Sequence, residues 1–366
     1  MKNYYNTHIF LLITFLSFSC SNGKIDREDV IIIPLVQSLS QSKVGENCGD
    51  IVKEYRIIPL ETSDSVLLSD GLYIYNIADS QIVLTDYNSV YFFRLTDGRF
   101  SHKFNKKGNG PGEYISISDL IYDSDHQKIY IHDFNKRTIN VYSQLGTPLS
   151  QFRNDSIASM RQNKEGQFIV SYASFEKNRH LIGIYDSNWQ HIGSYMENTT
   201  DNNVFGLYNI STINLFNGDP YIYMANTLYQ ISTEGVSPVL ILNKGLLGLP
   251  DEIASDIRRK NERNKYIWGD YGYLSGNYYF LFFVYNEQSY FDLWDTSSRS
   301  LLCRNIVTRP GETGGLPFVL SGKRIYAFPK FVQNNRLYCI LPIDQASIIY
   351  PQYNEDDNPL ILEIVL

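Results

Sequence analysis

Four cysteines in 366 residues are too few to build a disulfide scaffold. One falls at position 20. The other three, Cys48, Cys303 and Cys339, are an odd number, so two readings stand for Cys303 and Cys339: a mutual disulfide or buried free thiols. The six histidines, at 8, 102, 126, 132, 180 and 191, lack the H-x-x-x-H or Cys/His spacing of a zinc site, so no metal is expected. G-x-S-x-G, an EF-hand loop and a P-loop are also missing, and no cofactor or catalytic residue is expected. Positive charge is scarce. The formal net charge is −7, about −8 without residues 1–19, which argues against a nucleic-acid binder. The densest basic group, Arg258, Arg259, Lys260, Arg263 and Lys265, is interleaved with Glu262 and reads as a solvated helix face. No apolar run is long enough to span a bilayer.

What is present begins with an export signal. Lys2 precedes a largely apolar run of ten residues, Ile9–Phe18, the length of a signal-peptide core. The run ends LSFSC. Small Ser19 before Cys20 resembles the lipobox of bacterial lipoproteins, although Ser17 and Phe18 depart from its commonest form. The plain alternative is an ordinary signal peptide with a chance cysteine. The expectation is a signal peptide at 1–19, lipidation of Cys20, and a polar tether over 20–50 whose one apolar stretch, VIIIPLV, packs on the domain that follows.

Twenty-nine Tyr and 20 Phe favour strands. From Tyr55 onward, short apolar runs alternate with turn residues, and the runs recur as units starting at Ile82, Lys128, Phe168, Tyr221 and Tyr278, with a looser sixth near Pro317. The last apolar residues before the polar turns, Phe93, Tyr142, Tyr185, Ile231 and Leu293, are spaced 49, 43, 46 and 62 apart. A period of about 40–50 residues with four strands per unit is a propeller pattern. The long gap holds a polar, capped helix over Leu249–Lys265. The predicted fold is all-β: a six-bladed propeller of four-stranded antiparallel blades over 51–366, with one helical insertion between blades four and five. Two β-sandwiches would not produce the repeat. Closure is expected from YRIIPLE near the start or PLILEIVL at the end.

Three stretches, IIPLETSD, KKGNGPGEYISISDLIYDSDHQKIYIHDFNKRTINVYSQLG and EDDNPLILEIVL, resemble the six-bladed, NHL-like β-propeller lipoproteins of Gram-negative bacteria. The resemblance spans nearly all the mature chain, though blades three to five match in pattern only. It implies a propeller and lipoprotein export, and no catalytic residues.

The loop GNGPGEY departs from a dinucleotide fingerprint because Glu113 stands where the last glycine belongs. In a propeller it must cross from a rim strand to the next channel strand. Gly108, Gly110 and Gly112 permit the turns and Pro111 stiffens them, bringing Glu113 and Tyr114 toward the channel mouth. RPGETGGLPF repeats Pro-Gly-Glu in the same phase of the repeat, with Arg309 and Glu312. Glu113 and Glu312 are thus candidates for one mouth; the competing reading is a crossing turn in which each Glu bonds local backbone N–H groups. Other loops expected on that face bring Arg153, Asp155, Glu197, Asp201, Tyr208, Trp268, Asp270 and Tyr271. DYNSV, DFNKR and DSNW begin like half a calcium loop but read as hairpin turns. Carboxylates, Arg and aromatics suit a polar, ring-bearing ligand. The expected function is a lipid-anchored envelope module, at the outer membrane, that binds a glycan, a peptide or an envelope protein. The alternative is a lyase or hydrolase using carboxylates at the mouth.

Overall fold

A computed structural model describes residues 30–41, 44–68, 71–78, 80–154, 156–172, 180–197, 212–254, 256–309 and 312–366. Six four-stranded antiparallel sheets stand around one axis. Blade one is Tyr73–Ala78, Gln81–Thr85, Val90–Arg94 and Phe100–Phe104. Blade two is Asp119–Asp123, Lys128–Asp133, Thr138–Ser143 and Pro148–Arg153. Blade three is Ile157–Gln162, Phe168–Tyr172, His180–Tyr185 and His191–Glu197. Blade four is Ile213–Phe216, Asp219–Met224, Thr227–Ser232 and Gly235–Leu242. Blade five is Trp268–Ser275, Tyr278–Tyr285, Gln288–Asp295 and Ser300–Val307. The first strand of each of these five is innermost.

Blade six carries the closure. Its strands run Phe331–Gln333, Arg336–Leu341, Leu360–Val365 and, outermost, Glu54–Pro59. Both expected closing segments are therefore used, paired with each other from Glu54↔Val365 to Pro59↔Leu360. Glu363 ties the seam: its carboxylate accepts from Arg56 on one neighbouring strand and from Arg336, at 2.6 Å, on the other.

Blades pack face to face, so middle strands are buried on both sides. Gln81–Thr85, Val90–Arg94 and Lys128–Asp133 are accordingly buried along nearly their whole length, while the rim strand Pro148–Arg153 is almost wholly exposed. Phe92, Phe93, Phe168, Phe280, Phe283 and Trp294 are fully buried between blades. Each such side chain contributes roughly 1.5–3 kcal/mol by leaving water. The Asp-led turns act through the backbone. Asp86, Asp133 and Asp186 each accept two N–H groups of their own turn, such as those of Asn88 at 3.0 Å and Ser89 at 2.8 Å, and Asp133 accepts the Ile115 N–H as well.

The structure corrects three readings. The strand at Pro317 does not open blade six. Among the described residues, Leu316–Leu320 pairs as a strand with Lys323–Ala327 alone, a hairpin against the outer part of blade five and the helix Ile343–Ile349. An inner strand needs a channel neighbour on each side, and that place is taken by Phe331–Gln333, which contacts the inner strands of blades one and five. The chain from Val30 is also more than a tether. Ile31–Ile33 adds to blade four as a fifth, parallel strand, Ile33 and Leu35 are fully buried, and Val44 bridges to Arg304. The insertion is an α-turn, Asp251–Ala254, followed by a 3-10 run, Ile257–Lys265, because Asp256 caps the second piece by accepting from the Arg258 N–H at 2.9 Å. Arg263 in that run is buried and bonds the Ala254 carbonyl at 3.0 Å.

Cys48, Cys303 and Cys339 are free and buried. The cysteine beside Cys303 is Cys48, and each thiol shifts the ionisation of the other; the Cys303 Sγ itself donates to the Gly45 carbonyl at 3.4 Å. Cys20 lies outside the described residues.

Candidate functional site

The loop between blades one and two is built around its own glutamate. Glu113 N–H donates to the Gly110 carbonyl at 3.2 Å, and Gly112 sits at φ +69°, a tight turn with Pro111 at its first corner. The Glu113 carboxylate accepts from the Gly110 N–H at 2.7 Å. It packs so close to Gly108 that a β-carbon there would lie 2.1 Å from Oε2. Lys136 Nζ donates to the carbonyls of Gly108 and Glu113, at 3.1 and 2.8 Å. Tyr114 is fully buried; its hydroxyl donates to the Asn88 carbonyl at 2.6 Å and accepts from the Lys106 N–H at 3.1 Å. Burial pushes that hydroxyl up to about 12. Tyr114 is a core side chain and lies out of reach of a ligand.

Glu312 repeats the device. Its carboxylate accepts the N–H groups of Thr308 and Arg309, at 2.8 and 3.2 Å, and its own N–H donates to the Arg309 carbonyl at 3.2 Å. Those backbone donors, Thr308 first, hold its carboxyl below the usual range. The chain beyond it enters the Leu316–Ala327 hairpin and not the channel, so the two loops differ in destination. Each carboxylate is engaged within its own loop.

The channel itself is nearly filled. Arg161 bonds Asp119 at 2.6 Å and lies over the Tyr75 ring at 5.6 Å. Asp119 also accepts from Ser159 Oγ and the Met160 N–H, at 2.9 and 2.8 Å, joining blade two to blade three. What remains among Tyr75, Arg161, Asn214, Tyr273 and Lys330 is a void of about 50 Å³.

The large concavity lies off the axis. A cavity of about 1210 Å³ crosses one face above blade four, from Asn214 and Tyr271 near the channel to Leu249 in the insertion. The same face carries the turns joining second to third strands and the chain leaving each fourth strand. Blade three contributes Tyr172, Met196 and Glu197, blade four contributes Tyr223, Asn226, Asn243 and Lys244, and blade five contributes Trp268, Asp270 and Tyr271.

Local irregularity shapes its floor. Trp268 pairs with Val284 and Tyr271 with Phe282, so blade five's first strand holds one extra residue, with Gly269 at φ +62°. The bulge sets Asp270 against Lys244, whose ammonium donates to Oδ1 at 2.8 Å and to the Ala225 carbonyl at 3.0 Å. The Tyr223 hydroxyl donates to Asp270 Oδ2, and the ammonium stands 5.7 Å from the Tyr223 ring. Both ionic side chains are only 7% exposed. Burial first, then the Asp270 charge, pushes the Tyr223 hydroxyl well above its ordinary value. The floor is therefore an internally neutralised ion pair, rigid and low in net charge, under walls of Tyr, Trp and Met.

Of the residues singled out in the sequence, Trp268, Tyr271, Asp270 and Glu197 meet here. Glu113, Tyr114, Arg309 and Glu312 do not line this cavity. Arg153 ends the exposed rim strand of blade two. Asp155, Asp201 and Tyr208 lie outside the described residues. Lys244, Tyr223, Asn226 and Asn243 were missed. Their signal was positional: NK follows blade four's last strand and YMAN closes its second, and both places open on the face of the crossing loops. Among the described residues, no group of three or more His, Cys, Asp or Glu side chains is placed to hold a metal ion.

Nothing among curated proteins matches the chain. A solved structure from Bacteroides fragilis NCTC 9343, described as a "Putative exported protein", superposes with TM-score 0.67 at 18% identity, covering 87% of this chain and 96% of that one. A DUF4221-family member from Bacteroides vulgatus ATCC 8482 aligns with TM-score 0.48 at 11% identity, over 86% and 96% of the two chains. The first likeness carries the fold. The model of one family, the domain of unknown function DUF4934, matches residues 30–363, from the strand that edges blade four to the seam of blade six, and the chain belongs to that family.

Proposed function

We propose that this propeller is an exported, lipid-anchored binding module of the bacterial envelope, and that its ligand is a glycan held in the cavity above blade four. The observation that carries the reading is the cavity's composition. Trp268, Tyr271 and Tyr172 offer ring faces for the apolar faces of sugar rings, and Asn226 and Asn243 offer amides for hydroxyls. Lys244 is neutralised by Asp270, which leaves the Glu197 and Asp251 carboxylates as the cavity's remaining charges and disfavours an anionic ligand. The carboxylates that an acid–base enzyme would need at the mouth, Glu113 and Glu312, are engaged by their own backbone.

The test is a glycan and peptide array on the purified chain. Trp268→Ala and Tyr271→Ala should each weaken glycan binding by about 10-fold, the loss expected for an aromatic anchor worth roughly 1–2 kcal/mol. Binding that survives both changes, or capture of peptides alone, overturns the glycan reading. The anchor rests on Cys20 and the LSFSC context, and on the exported description of the Bacteroides fragilis structure. Labelled palmitate should enter the wild-type chain and be lost in Cys20→Ala; equal labelling removes the anchor.

A further inference from the structure

Two buried thiols lie where the N-terminal strap crosses blade five. The strap runs antiparallel to the outer strand of that blade: Val44 bridges Arg304, whose N–H donates to the Val44 carbonyl at 2.8 Å. Gly45 then turns at φ +59°, so close that a β-carbon would lie 3.3 Å from Cys303 Cα. The turn folds the strap back over Cys303, whose Sγ donates to the Gly45 carbonyl at 3.4 Å. Cys48 is fixed from the other side, its N–H donating to the Pro317 carbonyl at 2.7 Å. Both thiols lie in one apolar cluster, at 2% and 1% exposure.

We propose that Cys48 and Cys303 form a disulfide that fastens the strap to blade five when the chain folds in an oxidising compartment. The oxidant is a disulfide of a thiol oxidase or a small thiol. The Cys303 thiolate attacks one sulfur of that disulfide, forming a mixed disulfide and releasing one thiolate. The Cys48 thiolate then attacks Cys303 Sγ and expels the second. Two protons and two electrons leave the pair, and the oxidant becomes two thiols. Because both sulfurs are enclosed in the finished fold, exchange precedes the final seating of the strap. Cys339, in the second strand of blade six, stays reduced.

The full chain, exported in a bacterial host, is denatured without reductant, alkylated and digested. A linked Cys48–Cys303 peptide with alkylated Cys339 is expected. Alkylation of both Cys48 and Cys303, or a Cys303–Cys339 link, overturns the proposal. A second arm treats the reduced, purified chain with oxidised glutathione during refolding. The melting temperature should rise on oxidation in wild type and in Cys339→Ser but not in Cys48→Ser. A rise in Cys48→Ser equal to that of wild type overturns it. Should Cys48→Ser not fold, the peptide map of Cys339→Ser decides: the link must persist there, and its absence refutes the pairing.

Discussion

Gly108 is a glycine because Glu113 needs its place. The carboxylate lies where a β-carbon would be, 2.1 Å from Oε2 and 2.7 Å from Cδ. Gly108→Ala should destabilise the fold by about 1–3 kcal/mol, the usual cost of overfilling a packed site. Glu113→Ala in the same chain should recover part of that loss, since neighbouring changes of this kind couple. Urea denaturation of the two single variants and the double variant measures the coupling; strict additivity would mean that the carboxylate is not what fills the space. The pairing of Gly108 with Glu113 was half visible in the sequence. KKGNGPGEY announced a turn that needs glycine, and the reading in which Glu bonds local N–H groups was open alongside the channel mouth. Choosing between them required knowing where the carboxylate points, which spacing does not encode.

At the scale of elements, periodicity was legible and connectivity was partly so. Phe93, Tyr142, Tyr185, Ile231 and Leu293 each end a third strand or sit within one, so their spacing reported the blades directly. LPFVL was misplaced because an inner strand and a peripheral hairpin strand can share composition; five apolar residues buried against a rim look like five buried beside a channel. VIIIPLV was better placed than the polar residues after it. Its seat depends on Arg304, whose guanidinium pairs with Asp292 and also donates to the Ser38 carbonyl at 2.6 Å, with both ionic side chains fully buried. Such a partner lies more than 260 residues away and leaves no local mark. Arg304→Ala should cost about 3–5 kcal/mol, because Asp292 is left charged and buried while the strap loses its bond. The double change Arg304→Met with Asp292→Leu should cost less than the single one. Denaturant midpoints decide the order, and a milder Arg304→Ala would contradict the account.

For the molecule as a whole, cooperativity runs through blade six, where Glu54–Pro59 and Leu360–Val365 join residues from both ends of the described chain. Glu363 is the shared acceptor of Arg56 and Arg336 and is itself buried. Glu363→Ala should lower stability by about 1–3 kcal/mol through those lost bonds. Tryptophan fluorescence, from Trp189 in blade three and Trp268 and Trp294 in blade five, and far-ultraviolet circular dichroism should shift together; separate transitions would show blades melting independently. The candidate site belongs to this scale too, which is why it was the least legible part. Trp268 and Tyr271 stood out as aromatics in a loop, but Tyr172, Asn226 and Lys244 join them only because three blades share one face.

The strap also sets the order in which parts of the molecule would feel a pull. Tension entering at Val30 meets first the three parallel pairings of Ile31–Ile33 with Leu240–Leu242, then the Arg304 grip on Ser38, then the turn over Cys303. Only after those give way does load reach Glu54 and the seam. The described stretch from Val30 to Cys48 thus works as a strain relief, like the clamp on a cable where it enters a housing, and the ring stays closed while the lead is tugged.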